Sequence, residues 1–206
     1  MSAQAETVHA VHKDPEGAKL GMWLFLFTEL LLFGGLFVLY SVYRAQYPHE
    51  FHAGGQEMNA VIGVANTVIL LTSSLTVALG ITALQNGNRR ATLMALGTTV
   101  VLGCAFLVNK YFEWSHEIHL GRYPNSPALA SRPDGEKIFY GLYYSMTGLH
   151  GLHVIAGITL LSIMFFLVRA NRVTSHDCTK LVNSGLYWHL VDVIWIFLLP
   201  MFYLSA

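Results

Sequence analysis

The stretch YYSMTGLHGLHVIAG, residues 143–157, lies in the middle of the longest apolar run of a 206-residue chain. That run, 138–168, would make a helix of about 46 Å at 1.5 Å per residue, longer than the roughly 30 Å hydrocarbon core of a bilayer. It must therefore cross a membrane with tilt, a kink or protruding ends. His150 and His153 are three residues apart and share one helix face, where Gly148 and Gly151 remove bulk beside them. Such a face looks at protein rather than lipid. Gly141 with Ser145, and Thr147 with Gly151, repeat the spacing of four that lets a second helix approach closely. Two readings fit the histidines: hydrogen-bonded residues of a packed seam, or ligands to a metal or haem that would need partners elsewhere in the chain.

The rest of the chain has the same character. It is 54% hydrophobic and 12% charged, the balance of an all-α polytopic membrane protein rather than a soluble domain. Four further apolar segments, about 19–43, 60–85, 91–115 and 183–204, make five spans in one membrane domain, 19–206, after a polar tail, 1–18, that reads as mobile. His9 and His12 in that tail lack further ligands and read as solvated. The first span does not read as a cleaved signal: it is too long, follows Asp14 and Glu16, and precedes no small-x-small site. Basic and acidic residues balance with no basic block, which excludes nucleic acid as an expected partner. Cys104 and Cys178 have neither metal-type spacing nor an evident disulfide mate and read as packing residues.

Each span carries polar groups that need explaining. Glu29 stands ten residues into the first, about 15 Å deep, where a buried acid costs about 2.5–3.5 kcal/mol. Such a cost favours the neutral acid, which can donate a hydrogen bond to a neighbouring helix. The second span is rich in hydroxyls, from Thr67 to Thr82, with the amide of Asn66. The third ends in Lys110, Glu113, Trp114, His116 and Glu117, read as a snorkelling lysine, an ion pair and an aromatic anchor at the membrane edge. In the last span His189 and Asp192 are three apart, so the pair can share a proton or a hydrogen bond. The turn QNGNRR joins spans two and three, while 44–59, 116–137 and 169–184 read as loops. Lys13, Lys19, Arg89, Arg90, Arg169, Arg172 and Lys180 fall on one side; Arg44, Arg122, Arg132 and Lys137 fall on the other. This excess places the N-terminus in the cytoplasm and, after five spans, the C-terminus outside.

GMWLFLFTELLLFGGLF (21–37), TGLHGLHVIAG (147–157) and GLYWHLVDVIWIF (185–197), in this order, resemble subunit III of haem-copper oxidases, the cytochrome c oxidase subunit 3 family. NTVILLTSSLT (66–76) and LGCAFLVNKYFEW (102–114) are similar to two more of its helices, so the resemblance covers all five spans. It is to a short form without the first two helices of the seven-helix members. The resemblance implies a non-catalytic subunit that packs against catalytic subunit I beside subunit II in a bacterial plasma membrane. It also implies a part in stabilising the catalytic subunit and sustaining proton uptake during oxygen reduction. Haem and copper are expected in those partners and none in this chain. Glu29 matches the family's carboxylate that influences proton pumping; His150, His153, His189, Asp192 and Glu113 match polar positions of its bundle, which favours the seam reading. Lys110 stands where the family pattern suggests glutamine. Bound phospholipid is expected only where another subunit supplies the wall that the missing helices form in the long members.

Rival expectations are a subunit III-like accessory protein of nitric oxide reductases, which shares these motifs, and a stand-alone cytochrome with His150 or His153 and His189 on a haem. A proton-coupled transporter using Glu29, His189 and Asp192 is a third, with no inverted repeat behind it.

Overall fold

The computed structural model describes residues 15–175 and 177–204. They form seven helices: α1 (Pro15–Gln46), α2 (Pro48–Gln56), α3 (Ala60–Gln85), α4 (Arg89–His119), α5 (Pro127–Ala130), α6 (Asp134–Arg169) and α7 (Thr179–Phe202). Five of them, all but α2 and α5, are long and apolar enough to cross a membrane, and no strand is present among the described residues.

The expected spans are present; α3 keeps its expected bounds, while α1, α4 and α6 are longer at both ends because polar end turns remain helical where hydropathy alone stops. Residues 15–18 thus belong to α1 rather than to the polar tail, with Pro15 and Glu16 in the first turn; residues 1–14, with His9, His12 and Lys13, lie outside the described residues. The last helix starts earlier than expected, at Thr179, and ends at Phe202 instead of 204. The loop 44–59 contains α2 and the loop 116–137 contains α5. Their starts carry a proline in the first turn, which suits a helix N-terminus and not its interior. At QNGNRR, Gly87 takes φ +75° and the Asn88 side chain caps α4 by accepting from Ala91 N at 3.1 Å.

The helices α3, α4, α6 and α7 close a ring in which α3 packs on α4, α4 on α6, α6 on α7 and α7 back on α3. The helix α1 is added outside it, against α6 and α7, and buries the stripe Leu26, Phe33 and Tyr40, one residue every two turns. Lipid tails are as apolar as leucine, so the ring is held by close packing and interhelical hydrogen bonds rather than by escape from water. Its centre is aromatic: Trp188, Trp195, Phe106, Phe139 and Tyr143 are all fully buried. Trp188 fills a notch that glycine makes on two helices. A Cβ on Gly103 would lie 2.9 Å from its ring, and one on Gly157 only 2.6 Å. The expected close approaches at Gly141 and Gly151 do not occur, since nothing lies within 4 Å of where their Cβ atoms would be. Period-four spacing marks a face that can be approached and does not say which residue on it is met.

Hydroxyls of α3 serve the ring. Ser73 accepts from Trp188 Nε1 and Thr67 from Trp195 Nε1, both at 3.0 Å. Thr76 bonds Thr99 at 2.8 Å, and Asn109 donates to Asn66 at 3.0 Å. At one end of the bundle, Arg89 donates to the carbonyls of Val168 and Arg169, closing the last turn of α6 with the side chain of another helix.

At the other end an ionic clamp joins the connections. Glu57 takes Arg132 at 3.0 Å and Arg122 at 3.2 Å, while Arg132 also bonds Glu136 at 2.9 Å and Tyr140 donates its hydroxyl to Glu57. Partial burial pushes the Glu57 carboxyl up, but hydrogen bonds from Tyr140 and Arg132 and the charges of Arg122 and Arg132 outweigh it, so it ionises below its ordinary value. A carboxyl depressed by folding adds stability above its unfolded value near 4.3, and that part is lost as pH falls through the lower folded value. Thermal unfolding of the detergent-solubilised protein should therefore show an acid-labile component below about pH 4.3 that is absent from Glu57→Gln. Equal acid slopes in both proteins would mean that the clamp does not carry it.

Candidate functional site

Two polar clusters inside the bundle bring together residues from different helices. The first joins α1 and α6. His153 is turned toward Glu29, with Nε2 2.8 Å from Oε2, and its Nδ1 lies 2.8 Å from the carbonyl of Leu149. A carbonyl only accepts, so Nδ1 carries a hydrogen. The bond between Nε2 and Oε2 then holds one proton, on the imidazole of an ion pair or on the carboxyl of a neutral pair. Phe33 meets the imidazole edge-on at 5.2 Å, and Tyr187 donates to the carbonyl of His153 at 3.2 Å. Both side chains are 15% exposed. The pair can thus hold and exchange a proton at membrane depth on the side of the bundle where α1 lies.

The second cluster joins α4, α6 and the end of α7. Lys110 donates to Glu113 Oε1 at 3.1 Å, to Tyr143 at 3.1 Å and to Tyr203 at 2.9 Å. Both tyrosine hydroxyls also donate to Glu113 Oε1. The ammonium lies 5.0 Å from the centre of the Tyr143 ring and 5.4 Å from that of Trp195. Lys110 is only 7% exposed, so the expected snorkelling lysine is corrected: its ammonium is turned inward, where Glu113 and two phenols replace water. Trp114 is half-buried against Tyr144 and Gly148 rather than serving as a free interface anchor.

The remaining candidates do not join either cluster by hydrogen bonds. His150 is fully buried between Phe106 and Trp195, with ring centres at 5.6 and 5.2 Å, and neither nitrogen has a partner among the described residues. Packing alone places it, so the hydrogen-bonding half of its expected role is corrected. His189 and Asp192 do not bond each other. His189 Nδ1 lies 2.6 Å from the Ser74 hydroxyl, which also neighbours Asp192. Three residues of separation put the two side chains on one face, and there it is the Ser74 hydroxyl of α3 that the imidazole meets. No three His, Cys, Asp or Glu among the described residues are grouped to hold a metal.

Comparisons with known proteins agree on a family. The family model described as Cytochrome c oxidase subunit III matches residues 2–206. The chain belongs to this family. The probable cytochrome c oxidase subunit 3 of Nocardia farcinica is 31% identical over 204 residues, covering 98% of this chain and 94% of that protein. Cytochrome c oxidase subunit 3 of Thermostichus vulcanus is 32% identical over 97% of this chain and 93% of its own length. Cytochrome bo(3) ubiquinol oxidase subunit 3 of Pseudomonas putida is 28% identical over 94% and 88%. These relatives are subunits of terminal oxidase complexes, and this subunit III chain is integral to a membrane.

Sequence reasoning had marked Glu29 and His153 separately and missed that they meet. It also missed the clamp of Glu57, Arg122, Arg132 and Tyr140. The signal available was composition: arginines and glutamates recur in two connections at one end of the chain's zigzag, 44–59 and 116–137.

Proposed function

We propose that this chain is the non-catalytic subunit III of a proton-translocating haem-copper oxidase. It packs against catalytic subunit I beside subunit II in a bacterial plasma membrane, with its N-terminus cytoplasmic and its C-terminus outside. There it stabilises the catalytic subunit and sustains proton uptake during oxygen reduction. The observation that carries this reading is the 2.8 Å contact between Glu29 Oε2 and His153 Nε2, which joins two of the membrane-spanning helices. The orientation rests on the basic residues, of which Lys19, Arg89, Arg90, Arg169, Arg172 and Lys180 lie at one end of the bundle.

The redox groups belong to the partners in this reading. The three candidate histidines have separate neighbours: His153 is engaged at both nitrogens, His189 turns to Ser74, and His150 is closed in by two aromatic rings.

Purification of the chain from its own membranes in mild detergent tests the assignment. It should bring down a large haem-copper oxygen-reducing subunit; recovery of the chain alone, or with a nitric oxide reductase, would overturn it. Within the recovered oxidase, Glu29→Gln should leave assembly intact and lower proton yield and sustained turnover. The amide keeps the shape and removes the exchangeable acid. Unchanged pumping and turnover would take Glu29 out of proton uptake.

A further inference from the structure

The helix α7 has α1 packed on one side and α3 on another, and these two are not packed on each other among the described residues. The face of α7 between them is the floor of an open groove. His189, Val193, Ile196 and Pro200 follow one another along it in steps of four, three and four, the spacing of one helix face. Val193 and Ile196 are 43% and 41% exposed, Pro200 is exposed and His189 is half-buried. Phe37 of α1 meets Phe197 at 5.8 Å on one wall, and Ser74 of α3 meets His189 on the other. Toward Phe202 the α1 wall opens into a cavity of about 680 Å³, lined by Phe37, Ser41 and Arg44 of α1 and by Phe197 and Pro200 of α7.

Two polar groups on this floor want a partner that hydrocarbon does not offer. His189 and Ser74 each stand near the middle of their helix, and the Ser74 hydroxyl lies between His189 Nδ1 and the neighbouring Asp192. Among the described residues no hydrogen bond reaches His189 Nε2. A hydroxyl has one hydrogen; given to Asp192, it leaves the oxygen to accept from Nδ1–H, and a neutral imidazole then keeps Nε2 as an acceptor. The second group is the carbonyl of Ile196. Its helical donor would be residue 200, a proline, which has no N–H. Acyl chains donate no hydrogen bond, so acceptors at membrane depth are costly unless a neighbouring helix supplies the donors. The outward faces of α4 and α6 make no such demand: Met94, Val101, Val108, Leu152, Ile155 and Phe166 are exposed there, and hydrocarbon covers them without loss.

We propose that this groove receives a membrane-spanning helix of another subunit of the oxidase. That helix carries two hydrogen-bond donors, hydroxyl or amide, about 10 Å apart along its axis, the rise over the seven residues from His189 to Ile196. One donor meets His189 Nε2 and the other the Ile196 carbonyl, while apolar side chains fill the space beside Phe197 and Pro200. The assignment rests on reading the chain as an oxidase subunit, and adds which face it turns to a neighbour and what chemistry that neighbour brings.

The test is photo-crosslinking of the complex in its own membranes, with a benzophenone side chain placed at Val193 in the groove or at Val101 on the outer face of α4. Val193 should give adducts with a helix of another subunit, and Val101 should give lipid adducts only. Val193→Trp overfills the groove at an exposed position, so it should lower recovery of the neighbouring subunit about tenfold while thermal unfolding of the isolated chain stays unchanged. His189→Leu should lower that recovery about 3–10-fold, the effect of one lost hydrogen bond, and His189→Gln, whose amide oxygen still accepts, should restore it. Lipid adducts alone at Val193 in a recovered complex, or equal subunit adducts at both positions, would overturn the groove and leave the oxidase reading standing. Adducts with a second copy of this chain would overturn the partner. Recovery of the chain without any other subunit would overturn both.

Discussion

Glu113→Leu should destabilise the protein by about 3–5 kcal/mol, because it leaves a buried lysine without its counter-charge. Lys110 would keep two phenol oxygens and the aromatic faces of Tyr143 and Trp195, none of which carries a full negative charge. The double variant Lys110→Met with Glu113→Leu should recover most of that loss, since an apolar pair of similar volume needs no solvation. Thermal unfolding in one mild detergent measures all three proteins. If the single and double variants unfold together, the ion pair is not what keeps Lys110 tolerable inside the bundle.

Trp188→Ala should cost a comparable amount, about 3–5 kcal/mol. The indole fills the notch formed by Gly103 and Gly157 and donates to Ser73, so its loss opens a cavity where α3, α4, α6 and α7 come together. The bilayer offers little hydrophobic compensation, and the lost term is mostly dispersion and one hydrogen bond. Gly157→Ala probes the same contact from the other side, with a methyl group at 2.6 Å from the ring forcing α6 and α7 apart. Both variants should lower the unfolding temperature and leave the Glu29–His153 bond in place. If Trp188→Ala unfolds as the parent does, the notch is not the centre of the bundle's packing.

The fold was legible because hydropathy reads spans directly, and the α3 boundaries at Ala60 and Gln85 match their flanking turn residues. Where polar residues continued a helix past the apolar run, as at Pro15–Ala18 and His116–His119, hydropathy stopped short. Candidate site residues were legible as types, because a carboxyl or imidazole in hydrocarbon is conspicuous. Partners were not. Helical spacing relates His189 to Asp192 but says nothing about Ser74, which lies more than a hundred residues away and takes the hydrogen bond. The inward turn of Lys110 was hidden for the same reason: its cage is built by Tyr143 and Tyr203 on other segments, and a lysine near a helix end otherwise extends to water.

The placement of α1 outside the ring governs how the chain can be made. Its partners α6 and α7 are the last two spans to be synthesised, and Gln46 and Phe202 are 156 residues apart (202 minus 46). At roughly 5–20 residues per second, α1 leaves the ribosome about 8–30 s before its full docking surface exists. During that interval it must be stable as a single inserted helix, with Glu29 deprived of His153. Nascent chains arrested before α6 emerges should therefore leave α1 open to lipid and to insertion factors along the Leu26 and Phe33 part of its stripe, Tyr40 already having Phe51 of α2 beside it.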